Sequence, residues 1–327
     1  MSRSSTSSSS SLDLNTADPA WRAALKAVAV AVVVLALGEA VSRALLADVG
    51  RRWEYWHPYA ATKFEFVRTA IERGDRFSVL VVGDSTAAAD VDPKVLDETL
   101  GPRSWNAGWS GNFPLAFEQT TLPLLADPRL RAQHVVALFI PSGFSAGDQL
   151  TPSEAGLVSS TFVQKRNARQ TGDYAYLARL KSAWPFLVAR LRHRAEPAAL
   201  SRYGFLAQRG QATPALVARE PADDSDGSIN PRRLAVLRGL LDAARRAGCS
   251  LTVVIPPSLT QSRARLATAE RLKEALGHDE TFGGLQVLDL MHPAFLTMND
   301  FVDLNHLNAG GAETFSRELA RMLAGAR

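Results

Sequence analysis

The chain has 327 residues, 46% of them hydrophobic and 21% charged, enough to bury the core of one large α/β domain with segments to spare. A net charge of +4 with a pI of 9.4 would suit an anionic partner. However, the arginines are scattered in pairs such as Arg232-Arg233 and Arg245-Arg246. With no interleaved aromatics, zinc-ligand spacing or RNA-binding signature, that pattern argues against nucleic acid and for solvated helix faces. A single cysteine, Cys249, excludes an intramolecular disulfide and reads as a small residue at the edge of the core rather than a second nucleophile.

Residues 1–20, with seven serines between positions 4 and 11, read as a disordered tail. Residues 27–38 (AVAVAVVVLALG) are uncharged between Lys26 and Glu39. That run has the length of a signal-peptide apolar region, and Ala36-Leu37-Gly38 offers a small-x-small cleavage pattern. The helical pattern nevertheless continues through Ala40, Val41, Ala44, Leu45 and Leu46. Residues 21–46 would span about 39 Å at roughly 1.5 Å per residue, so the expectation is an uncleaved single-pass membrane anchor with Arg22, Lys26 and Arg43 snorkelling near its ends. The basic residues before and after the span balance, so orientation stays open. Residues 47–76 are expected to connect anchor and domain. Their aromatics Trp53, Tyr55, Trp56 and Tyr59 suit a membrane-interface belt, packing on the domain, or stacking on sugar rings.

From residue 77 the pattern alternates strand and helix. Residues 77–82 (FSVLVV), 135–140 (VVALFI), 251–255 (LTVVI) and 285–290 (LQVLDL) read as buried strands, with a short strand at Trp105-Asn106. Helices are expected over 93–100, 114–125, 174–194, 231–247 and 263–276, with a last one from about Asn308. Residues 142–229 are the least regular stretch, an insertion that shapes substrate access; 208–227, with Pro214, Pro221 and an acidic run at 223–226, reads as a loop. Alternating strands and helices imply a doubly wound parallel sheet flanked by helices, a three-layer α/β/α architecture. Its ligand site should lie beyond the carboxyl ends of the strands.

Two groups of residues fall at such ends. Gly83-Asp84-Ser85 follows the first strand, where a glycine permits a sharp turn and exposes the serine over the sheet edge. By itself the triplet is equally a capped turn. Asp303-Leu304-Asn305-His306 precedes the last helix, and a carboxylate three residues before an imidazole can fix its tautomer and stabilise its cation. Asp289 and His292 lack a third ligand for zinc. No phosphate-cradling glycine loop is present, so no cofactor or metal is expected.

Taken together, Val82-Gly83-Asp84-Ser85, then Asn106-Ala107-Gly108 with Gly111, then Asp303-Leu304-Asn305-His306-Leu307-Asn308 followed by Gly310, Gly311 and Ala312, resemble the first, second and last blocks of the SGNH (GDSL-like) hydrolase superfamily. The resemblance covers residues 77–327 apart from the insertion. With the apolar helix before the domain, it is closest to membrane-anchored bacterial members associated with acyl groups on envelope or secreted polysaccharides. It implies Ser85 as nucleophile, His306 as general base and then acid, and Asp303 as its orienting partner. The backbone N–H groups of Ser85 and Gly108 would form the oxyanion hole, and Asp84 would be a structural hydrogen-bonder. It also implies an extracytoplasmic domain on the inner membrane, an acylated carbohydrate or small ester as substrate, and a membrane acyltransferase as a candidate partner. One departure stands out. The family carries an asparagine after its central strand as a further oxyanion donor, whereas residues 140–148 read IPSGFSAGD. Ser142, or Asn112 from the second block, would have to substitute. Without such a donor the alternative is a weak or inactive binding protein on the same fold.

Overall fold

A computed structural model describes residues 19–57, 59–160, 163, 201, 203–220 and 226–325. The expected tail before residue 19, the helix expected at 174–194 and most of the acidic run at 223–226 lie outside the described residues. Helix α1, Pro19–Trp56, is longer than the expected anchor. Its 22-residue stretch Trp21–Ser42 contains an 18-residue window with a mean hydropathy of 2.2, none of it buried by the rest of the chain. It is long and apolar enough to cross a membrane, about 33 Å at roughly 1.5 Å per residue. Val28, Val30, Val34 and Leu35 are all about 60% exposed, and a surface so apolar is stable only in contact with another apolar phase.

The segment expected as a connector contains α2, Tyr59–Arg73. Tyr59, Phe64, Val67 and Ile71 recur on one face and are buried in the core, as helical periodicity allows. Of the aromatic group, Tyr59 therefore packs on the domain; the side chains of Trp53, Tyr55 and Trp56 lie outside the described residues.

Five strands follow: β1 Arg76–Gly83, β2 Trp105–Asn106, β3 Arg131–Leu138, β4 Ser250–Ile255 and β5 Gln286–Asp289. All pair in parallel, in the order β2-β1-β3-β4-β5. Alternation along the strands builds a core on each face. Leu80, Val82, Val135, Ala137 and Val253 join α2 and the helix α10, Pro231–Ala247. Val79, Val81, Val136, Leu138 and Val254 join the helix α12, Ala309–Gly325. Helices thus cover both faces. The topology reverses between β1 and β3, and in open α/β sheets the crevice beyond that point is where ligands bind.

The short helices follow local chemistry. Helix α3, Ser85–Asp90, and α4, Pro93–Leu100, leave β1. The stretch expected as one helix at 114–125 is two, α5 Pro114–Gln119 and α6 Leu122–Leu125; Pro123 lacks the N–H a continuous helix requires. After β3 come α7, Ser142–Ser145, and α8, Pro152–Val158. The 208–227 region contains the short helix α9, Pro214–Ala218. It starts on Thr213, whose side chain accepts from Leu216 N–H, and on Pro214, a helix start that the loop reading missed. Helix α10 begins on Asn230 and Pro231 and ends at Gly248 in the left-handed conformation, φ 66°, the expected signals. Helix α11 is Arg263–His278.

A buried ion pair fastens the loop after β3. Arg233 of α10 and Glu154 of α8 are fully buried and meet through two bonds, Nη1–Oε1 3.0 Å and Nη2–Oε2 2.9 Å. Arg233 also donates to the carbonyls of Gly143, Gly147 and Gln149. Glu154 accepts from the N–H groups of Leu115 and Thr151. With both ions saturated, desolvation is compensated as a bidentate pair allows. Removing one ion strands the other. Arg233→Met should therefore lower the unfolding free energy by about 3–5 kcal/mol, read as a reduced denaturation midpoint. The double variant Arg233→Met/Glu154→Leu should recover a substantial part of the loss.

Candidate active site at the carboxyl edge of the sheet

Gly83 ends β1 with φ 136°, and a Cβ there would lie 1.8 Å from the carbonyl oxygen of Leu138 on β3. Glycine is required because the turn runs directly against the neighbouring strand. Asp84 then ties three pieces together. Its Oδ1 accepts from Thr86 N–H (2.8 Å) and Thr86 Oγ1 (2.7 Å), capping α3, and its Oδ2 accepts from Ile140 N–H (2.8 Å) beyond β3. It is the structural hydrogen-bonder its position suggested. Ser85 is the first residue of α3 and half-buried. Its hydroxyl has no partner among the described residues. Its N–H is among the first-turn donors that a helix leaves unpaired.

His306 sits in a tight loop closed by the bridge Phe301↔Leu307 and by Val302 N–H donating to His306 O (2.8 Å). Asp303 shapes this loop by accepting from the N–H groups of Asn305 (2.8 Å) and His306 (2.9 Å). The same carboxylate lies 2.9–3.0 Å from His306 Nδ1. Nδ1 therefore carries the proton and donates it to Asp303, leaving Nε2 as the nitrogen able to accept another. The segment after β4 supports the loop, since Leu259 N–H and Ser258 Oγ both donate to Leu304 O at 2.8 and 3.0 Å.

Asp90 joins the two halves. This buried last residue of α3 accepts from Leu307 N–H at 2.9 Å through Oδ1. The helix that begins with Ser85 thus grips the residue after His306. The other oxygen, Oδ2, is buried with no partner among the described residues, and burial pushes the Asp90 carboxyl well above the usual range. Burial also raises Asp84. For His306, burial alone would lower the pKa. The hydrogen bond and charge of Asp303, with the charges of Asp90 and Asp84, outweigh it and raise the imidazole to about 9. Burial would raise Asp303, but the hydrogen bond and charge of His306 prevail and hold it low.

The loop after β2 is organised by Asn106, fully buried. Its Nδ2 donates to the carbonyls of Ala87 (2.6 Å), in the middle of α3, and Val91 (2.8 Å), just past its end. Its Oδ1 accepts from Gly108 N–H (2.9 Å) and from Lys63 Nζ (3.3 Å). Lys63, buried on α2, also donates to Gly108 O at 2.6 Å, and burial holds its ammonium well below the usual range. These contacts correct two of the expected oxyanion donors. The Gly108 N–H is occupied by Asn106, and glycine stands there for steric reasons, because a Cβ would lie 2.5 Å from Ala88 N. Asn112 is also unavailable: its Nδ2 donates to Gly83 O and Thr121 Oγ1, both at 3.0 Å, and its Oδ1 accepts from Thr120 Oγ1 at 2.7 Å. Two other groups remain unused among the described residues. One is the N–H of Gly111, a buried residue at φ 75° in the loop that Trp109 N–H and Asn112 fasten to Gly83 O. The other is the hydroxyl of half-buried Ser142, at the start of α7 beyond β3.

The insertion borders the same site. Tyr203 O accepts from Asn106 N–H (3.0 Å) and Leu206 N–H donates to Ala88 O (3.0 Å). Further on, Ala212 N–H donates to Phe301 O (2.6 Å). Residues 203–212 thus run from β2 across α3 to the histidine loop. Among the described residues no three His, Cys, Asp or Glu side chains gather as a metal site. No protein-family model matches the chain, and no curated protein matches it.

The Asp303–His306 contact has a directional consequence. With a folded pKa near 9 against about 6.5 in the open chain, the pair's contribution to stability is complete below about pH 6.5 and fades as pH rises through 9. Asp303→Asn removes the largest of the charges that raise the pKa, leaving those of Asp90 and Asp84 against burial, which lowers it. NMR titration of the His306 ring should show the midpoint falling by more than about one unit, an amount set by the loss of one close charge.

Proposed function

We propose that the chain is a serine-nucleophile esterase or O-acyltransferase of the SGNH (GDSL-like) type. Ser85, His306 and Asp303 would form its proton-transfer chain, acting on acyl esters of carbohydrate or envelope polymers. The observation that carries this reading is the Asp90–Leu307 bond, which ties the loop holding the Asp303–His306 pair to the helix that begins with Ser85. That join lies beside the β1/β3 reversal, where an α/β sheet offers its crevice.

In this mechanism Ser85 Oγ attacks the acyl carbonyl carbon while His306 Nε2 takes its proton, and Asp303 stabilises the resulting imidazolium. The negative oxygen of the tetrahedral intermediate is met by the Ser85 N–H, the Gly111 N–H and the Ser142 hydroxyl. Collapse breaks the ester C–O bond. The leaving alkoxide takes the proton from His306, and the acyl group stays on Ser85. Water or a sugar hydroxyl then attacks, giving its proton to Nε2; the acyl C–Oγ bond breaks, and Ser85 Oγ takes that proton back. Hydrolase and transferase differ only in which acceptor reaches the acyl-enzyme. Helix α1 would anchor the protein in a bacterial inner membrane with the domain outside the cytoplasm, where a membrane acyltransferase could supply acyl groups.

A second reading, an inactive binding protein on the same fold, is favoured by one observation: no asparagine follows β3, and Asn112 is engaged elsewhere. Kinetics on acetyl and longer-chain aryl esters separate the two. Wild type should turn over, with kcat/KM rising as His306 loses its proton. Ser85→Ala and His306→Ala should each lose at least ~10³-fold. Asp90→Leu should lose about 10²-fold through misplacement of His306 relative to Ser85, while Asp90→Asn, still able to accept from Leu307, loses much less. Absence of turnover in folded wild type on every ester and sugar acceptor would favour the binding protein.

A further inference from the structure

At the opposite, amino end of β1 lies a cavity of about 550 Å³ lined by Phe66, Arg76, Arg103, Ser104, Trp105 and Tyr203 among others. The length of β1, about 26 Å for its eight residues at roughly 3.3 Å each, separates it from Ser85. Four features of its wall point to a ligand.

Arg103 is the only non-glycine residue with a positive φ, 80°, among the described residues. The conformation is imposed. The Asp97 carboxylate accepts from Arg103 N–H (3.2 Å) and Ser104 N–H (2.7 Å), and Arg103 O accepts from Ser78 N–H (3.3 Å). A glycine would sit there without strain, so keeping an arginine is a cost to stability of the kind found at functional positions. The guanidinium groups of Arg103 and Arg76 have no acidic partner among the described residues. Asp75 also lines the cavity and pairs with Arg73 at 3.0 Å. Ser104 Oγ and Trp105 Nε1 belong to residues 2% and 7% exposed, and both atoms are buried without a partner, an uncommon state for native donors. Finally, Phe66 stacks on Trp105 with centroids 3.6 Å apart at 19° and remains 38% exposed.

The wall is therefore rich in donors and aromatic, and carries two arginines against one carboxylate that is already paired with Arg73. An inorganic anion would engage the arginines and leave the aromatic face and the neutral donors unused. A neutral sugar would leave the guanidinium groups unpaired. We infer that this cavity binds a carboxylated sugar unit, with Arg76 and Arg103 at the carboxylate and Phe66 against the ring face. The volume suits one or two such units. The site does not depend on acyl chemistry at Ser85.

The test uses the full chain in detergent and follows tryptophan fluorescence and calorimetry during titration with glucuronic acid, glucose or inorganic phosphate. Glucuronic acid should bind saturably in the millimolar range, at least about tenfold tighter than the other two, a difference near 1.4 kcal/mol. Trp105→Phe should abolish the fluorescence change. Arg103→Gly should hold or raise Tm, because the backbone strain is relieved, yet weaken binding at least about tenfold, and Arg76→Gln should weaken it with Tm unchanged. Ser85→Ala should bind like wild type, so this inference and the acyl reading can fail separately. No saturable glucuronate binding, equal binding of phosphate, or undiminished binding in Arg103→Gly would each overturn it.

Discussion

The candidate active site depends on how a six-residue helix is held at both ends by buried carboxyl groups. Asp84, just before Ser85, bonds to the helix start and to Ile140 beyond β3. Asp90, the last residue, bonds to Leu307 in the loop that carries His306. A helix this short has no stability of its own, so its orientation is whatever these two groups and the sheet impose. Asn106 adds a third tie by donating to the carbonyls of Ala87 and Val91. Three separate segments of the chain, the ends of β1, β2 and β3, are thereby fixed relative to the histidine loop before any substrate arrives.

Placing carboxyl groups so close to one imidazole has an electrostatic result. Asp303 touches His306, and Asp90 and Asp84 add their charges from further off, so the imidazolium is favoured over the free base. A base that keeps its proton too firmly is a poor base. The orphan oxygen of Asp90 works against this. Burial favours the neutral acid there, and each proton that Asp90 retains removes one of the charges holding His306 cationic. The two groups titrate as a coupled set rather than singly, and Asp303, paired and partly exposed, is the member that stays ionised.

Much of this was legible in the sequence, because the signals were local. The β-branched runs at 77–82 and 251–255 gave their strands, and Gly83-Asp84-Ser85 and Asp303 with His306 stood out by spacing and by position at strand ends. What escaped was set by contacts distant in sequence. Asp90 follows Ala87-Ala88-Ala89 and carries no local signal of its role; its partner is 217 positions away. Lys63 lay in a presumed connector, and nothing near it signals burial against Gly108. Gly108 was expected as an oxyanion donor because the family resemblance implies it. Its neighbour Asn106 takes the N–H instead, whereas the N–H of Gly111, at a positive φ, has no partner among the described residues. Arg103 carried no signal at all, since a left-handed arginine is recognised from the backbone alone.

The central claim is that Ser85 is a nucleophile activated by His306. Labelling of the folded full-length chain with a fluorophosphonate probe, followed by peptide mass spectrometry, tests it most directly. One modified residue, Ser85, is expected, with labelling abolished in Ser85→Ala and strongly slowed in His306→Ala. A folded wild-type protein that takes no label, or one labelled equally well without Ser85, would contradict it.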